Sequence, residues 1–247
     1  YFASLGDEEH RGHQIGAREA LVALAGIVAP VLTGWTLATL GPRVAFGATG
    51  AVLALAAIPL LWTPNVGVIR EAPGAWRAAA PAVLLVAADG WTTAGYFFVW
   101  QIALFLSLGG SFTAFGGAMA LAALVGAAVG LFLGRLIDAG HGGRAVWLAV
   151  GAMGATILAR SLAYGTPALA VAANAAGALV VAFYTPTMMT AIYNQARRSP
   201  CALRFHIATE GGWDAGQAAG CLVAAALIWA GAPLAVAIAL SLAGTAA

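Results

Sequence analysis

Asp89 is the residue of greatest chemical consequence in this chain. It lies about ten residues into an apolar run that opens near Ala79, roughly 15 Å along a helix. A carboxylate that deep in hydrocarbon costs about 2.5–3.5 kcal/mol on insertion scales, so its presence needs a reason. Thr93, Tyr96 and Trp100 follow Asp89 at spacings of four, three and four, which lays the four side chains on one helical face beside Trp91, Thr92 and Gln101. Such a face can bind a solute or take up a coupling proton. The alternative is a polar residue tied to a neighbouring helix for packing.

Two later clusters add to it. Asn174, Tyr184, Thr185, Thr187 and Asn194 mark one run, where Pro186 is expected to kink the helix, either beside a substrate or as a plain packed bend. Arg204, His206, Glu210, Trp213, Asp214 and Gln217 crowd the start of another, with Glu210, Asp214 and Gln217 on one face. That face reads as an ion-paired gate or as an interfacial surface snorkelling to water. Arg160, near the far end of its run, is expected to snorkel outward. Both charge signs with aromatic rings between them suit a small organic or amphipathic solute better than a bare metal ion. Carboxylate rings of the kind that line cation channels are absent.

Composition removes several chemistries. All 11 basic residues are arginine. Without lysine these residues form neither a phosphate-cradling P-loop nor a Schiff base to an aldehyde. Cys201 and Cys221 stand about 20 residues apart with no zinc-like Cys/His spacing, and His10 and His13 read as solvated loop histidines. No cofactor, metal or nucleic acid is expected. The apolar runs hold no Ser/His pair, which weighs against an intramembrane hydrolase.

The elements that must position these groups are apolar and long. Eight runs, at roughly 18–38, 42–62, 79–107, 114–137, 145–164, 167–193, 207–230 and 232–247, are nearly free of ionisable side chains. A helix needs about 20 residues to cross a hydrocarbon core of about 30 Å. Only 8% of residues are charged and 62% are hydrophobic, too few charges to wet the surface of a soluble domain. The expected fold class is all-α, a polytopic transmembrane helical bundle of about eight spans. Four-residue glycine spacing at Gly126, Gly130 and Gly134 predicts close helix packing.

If the chain weaves back and forth, nine arginines fall on one side (Arg11, Arg18, Arg70, Arg77, Arg135, Arg144, Arg197, Arg198, Arg204) and two on the other (Arg43, Arg160). Arginine resists translocation, so the richer side is expected to be cytoplasmic. The polar stretch 63–78, with Pro64 and Pro73, predicts a boundary. Residues 1–62 then end one bundle with two spans, 63–78 form a cytoplasmic linker, and 79–247 make a six-helix bundle. The chain lacks an initiator Met and its last run is short, so a fragment of a longer protein is expected.

The turn after the fourth run reads Gly134-Arg135-Leu136-Ile137-Asp138-Ala139-Gly140-His141-Gly142-Gly143-Arg144. It resembles the Gly-x-Leu-x-Asp-(Arg/Lys)-x-Gly-(Arg/Lys) signature of the major facilitator superfamily, with Gly134, Leu136, Asp138 and Arg144 fitting and Ala139 replacing the usual base. Gly26-Ile27-Val28-Ala29-Pro30-Val31-Leu32-Thr33-Gly34 is similar to the kinked fifth helix of that superfamily, with Pro30 at the kink and Ala29 and Thr33 where that pattern has glycines. The resemblance implies helices five to twelve of a twelve-helix transporter, with Asp89 on a cavity-lining, often interrupted seventh helix.

The implied function is secondary active transport of a small organic solute by alternating access, with proton coupling through Asp89 as an option. A monomer in a bacterial inner membrane, multi-pass and with no enzymatic activity, is expected. Substrate and proton candidates are Asp89, Thr93, Tyr96, Trp100, Gln101, Asn174 and Tyr184; gate and motif candidates are Gly134, Asp138, Arg144, Glu210 and Asp214. An intramembrane enzyme and a non-transporting scaffold are the alternatives.

Overall fold

The computed structural model describes residues 11–63, 71–137 and 142–246, and among them every regular element is helical. Helix α1 (Arg11–Thr39) and α2 (Pro42–Ala56) come first, followed by a 3-10 turn at Ile58–Trp62. Next come α3 (Ala75–Thr93), a π-helical segment at Ala94–Val99 and α4 (Trp100–Ser107), continuous with one another. Then follow α5 (Phe112–Ile137), α6 (Gly142–Ala163), α7 (Pro167–Arg198) and α8 (Ala202–Trp229). Short α9 (Leu234–Ala239) and α10 (Leu242–Thr245) close the chain. Runs of Ala and Leu, the strongest helix formers, explain the long elements. Glycines end two of them: Gly109 and Gly231 adopt φ of 67° and 90°, and Gly110 N–H→Phe105 O with Ala232 N–H→Leu227 O close Schellman caps.

The residues group into two compact units, Tyr1–Val68 with Ser111–Leu124, and Ile69–Gly110 with Val125–Ala247. In the first, α1 runs unbroken through Pro30 and crosses the start of α5 at glycines. A Cβ at Gly34 would overlap the Phe112 carbonyl, and one at Gly116 the Pro30 carbonyl, so the two backbones touch with no side chain between them.

In the second unit α3 packs most extensively against α8. The same device recurs there. Gly212, Gly216 and Gly220, spaced by four, face Val83, Ala87 and Trp91–Ala94 of the α3 region, while Gly90 faces the Trp213 carbonyl. On another side Gly95 meets α9, and Gly244 meets Ala88 and Thr92. The Trp91 indole donates to the Leu240 carbonyl at 3.0 Å. On α5, Gly126 abuts Ala178 of α7. Ends meet in register: Gly165 N–H donates to Ser107 Oγ at 3.0 Å, and Ala72, Ala75 and Cys201 form one buried cluster.

Among the described residues, three helical stretches, Leu21–Thr39, Pro42–Trp62 and Ala75–Ser107, are long and apolar enough to cross a membrane by length and composition. Large apolar side chains face outward, with Trp229 91%, Leu162 83% and Leu61 79% exposed. The buried side, by contrast, is rich in alanine.

Candidate functional site

Asp89 lies about 21 Å along the helix from Ala75, nearer its middle than the apolar run alone implies, because the helix begins before that run. Its carboxylate is half-buried, and Oδ1 accepts a hydrogen bond from the Tyr184 hydroxyl of α7 at 2.8 Å. The Trp213 indole of α8 is a second hydrogen-bonding neighbour. These groups sit on the wall of a cavity of about 420 Å³. Thr93, Tyr96, Gln101, Met153 and Gln217 line it as well, so α3, the π segment, α4, α6, α7 and α8 all contribute. The Gln217 side-chain nitrogen is buried there without a hydrogen-bond partner. A second cavity of about 270 Å³ shares Asp89 and Trp213 and adds Tyr193, His206, Thr209 and Glu210.

The close α3–α8 crossing brings these groups together. With glycine at 90, 212 and 216, the two backbones approach closely, and side chains of both helices border the same space. Thr93 donates to the Asp89 carbonyl at 3.0 Å, so its hydroxyl is satisfied within its own helix.

The four-residue face expected from Asp89 to Trp100 divides at the π segment. A π turn widens the helix and shifts the register of everything after it. Asp89, Thr93, Tyr96 and Gln101 border the larger cavity; Trp100 does not. Trp100 is buried and its indole donates to Asn174 Oδ1 at 3.0 Å, pairing two of the expected site residues with each other. Tyr96 straddles both settings, with its ring at the cavity and its hydroxyl donating to the Gly177 carbonyl at 2.9 Å.

No protein-family model matches this chain, and no curated protein matches it either.

Of the gate and motif residues, Glu210 borders the second cavity beside Asp89, whereas Asp214 is exposed. Gly134 lies in α5 and Arg144 in the first turn of α6, and Asp138 lies outside the described residues. Pro186 lies within α7. His10 also lies outside the described residues.

Arg160 corrects the sequence reading. Instead of snorkelling outward it is 4% exposed, and its Nη1 donates to the Tyr96 carbonyl at 2.6 Å inside the π segment. Its guanidinium carbon lies 3.8 Å from the Tyr96 ring centroid and 5.1 Å from that of Trp100. Gly177 makes the room, since a Cβ there would overlap the guanidinium. Two aromatic faces and a carbonyl replace water around the charge, which is why the cation can stay inside. Its partners come from three separate helical segments, so spacing along α6 carries no sign of them. The Gly212/Gly216/Gly220 series is different, because its four-residue repeat was readable in the sequence.

A carboxylate, a phenol, an amide and several rings around a cavity can bind and orient a solute.

Proposed function

We propose that this chain is a membrane-embedded secondary transporter of the major facilitator type. It moves a small organic solute across a bacterial inner membrane by alternating access and works as a multi-pass monomer without enzymatic activity. One observation carries the reading: Asp89, held by the Tyr184 hydroxyl, stands on the wall of a cavity of about 420 Å³ midway along an apolar helix. A carboxylate placed there costs free energy that a bound solute or proton can offset. Supporting it are the outward-facing Trp, Leu and Phe side chains, which lipid solvates and water does not. The motif around Gly134 and the Gly/Pro pattern around Pro30 support the superfamily assignment by resemblance of sequence alone. Roles for Pro30 and Pro186 as points where a helix can bend, and for Asp138 and Arg144 as members of the turn motif, belong to the same proposal.

The test is a thermal-shift screen of small organic solutes on the full-length gene product in detergent, followed by uptake into proteoliposomes. At least one solute raises the unfolding temperature and is taken up. Asp89→Asn abolishes both effects. Tyr184→Phe, which removes one hydrogen bond to a charged group, weakens binding by about tenfold. Uptake no faster than into empty vesicles, or full uptake by folded Asp89→Asn, defeats the proposal.

A further inference from the structure

We infer that the two cavities meeting at Asp89 take an organic cation, an ammonium head joined to an apolar or aromatic body. The inference rests on the transporter reading of the same cavity and narrows it to one substrate class. Along the sequence the polar groups carry both signs, but in the folded unit those signs separate. The carboxylates on the cavity walls are Asp89 and Glu210, joined by the His206 imidazole, and among the described residues no arginine lines either cavity.

The buried base, Arg160, stands behind Tyr96, whose ring borders the larger cavity. Its charge repels a cationic head from that end and favours the opposite end, where Asp89 and Glu210 face the second cavity. Asp89 and Trp213 line both spaces, so a head lodged between them meets carboxylate oxygen and an indole ring together. Tyr193 and His206, in an edge-to-face pair with centroids 5.5 Å apart, extend that aromatic surround. Such rings attract quaternary and protonated amines. The apolar body then fits the larger cavity against Phe97, Phe98 and Met153. An anion would face two carboxylates, and a neutral solute would leave Asp89 to be neutralised by a proton instead of by the solute itself. A small hard cation would need a shell of oxygens, where this site offers rings and aliphatic groups instead.

Calorimetric titration of the purified full-length protein in neutral detergent tests this, with tetramethylammonium, benzyltrimethylammonium, benzyl alcohol and benzenesulfonate as probes. Benzyltrimethylammonium is expected to bind saturably and at least about tenfold more tightly than the neutral or anionic probe. Asp89→Asn lowers that affinity by about tenfold or more, Asp89→Glu restores part of it, and Glu210→Gln lowers it by about threefold. Unliganded unfolding temperatures and elution volumes establish that each variant is folded. The inference is overturned if neither ammonium probe binds the folded protein, if benzenesulfonate binds as tightly, or if folded Asp89→Asn keeps full affinity. Cation binding without flux sinks the transporter reading and leaves the site standing. Asp89-dependent flux of a neutral or anionic solute does the reverse.

Discussion

At the scale of single residues, the interior of this protein is organised around two charges treated in opposite ways. Asp89 is left on a cavity wall, with one oxygen held by Tyr184. Arg160 is sealed, its guanidinium pressed on Tyr96 and Trp100 and bonded to a carbonyl. A buried charge without a carboxylate partner is tolerated when ring quadrupoles and carbonyl dipoles surround it closely. That closeness requires glycine at 177 and predicts a specific coupling. Gly177→Ala should destabilise the protein by about 1–3 kcal/mol, because the new methyl overlaps the guanidinium. In an Arg160→Met background the same change should cost far less, giving a coupling energy within about 0.5–3 kcal/mol in a thermal-unfolding double-mutant cycle. Strict additivity would mean that the guanidinium does not occupy that space. The placing of Asp89 inside an apolar run was visible in the sequence, whereas the burial of Arg160 was not, since the groups that shelter it lie on other helices.

At the scale of elements, glycine spacing decides which helices touch. The α3–α8 crossing depends on Gly90, Gly212, Gly216 and Gly220, and it borders both cavities. Gly216→Leu would drive a side chain into the Ala87 carbonyl, whereas Gly211 on the same helix has open space around its Cβ position. Gly216→Leu should therefore lower stability by about 1–3 kcal/mol and weaken solute binding, while Gly211→Leu changes neither appreciably. Unfolding temperatures of the two variants in the same detergent make the comparison; equal losses would show that the crossing is not glycine-limited. The π segment at Ala94–Val99 is the second decision at this scale. It swings Trp100 away from the cavity to meet Asn174 while keeping Gln101 at the wall. A regular 3.6-residue period places Asp89, Thr93, Tyr96 and Trp100 on one face and has no means of foreseeing an inserted π turn.

For the whole molecule, the distribution of apolar surface is the governing feature. Large Leu, Trp and Phe side chains point outward, and Ala and Gly pack inward, the arrangement favoured when the solvent is lipid and close backbone approach holds helices together. Within the larger unit, the turn at Gly165 meets Ser107, and the α8 start at Cys201 meets Ala72 and Ala75. An impermeant maleimide should therefore label single cysteines at Gly109 and Gly165 from one side of the membrane, and those at Pro73 and Ser199 from the other, in a background lacking Cys201 and Cys221. Labelling of all four from the same side would dismantle the threading. The sequence by itself determined the helical character, the eight apolar runs and the placing of the Asp89 carboxylate within one of them, because hydropathy and helix propensity are local properties of the chain. Only the tertiary structure decided that Tyr184 holds Asp89, that Trp100 turns to Asn174 and that Arg160 is sealed against aromatic rings, because each of those facts is a contact between helices distant in sequence.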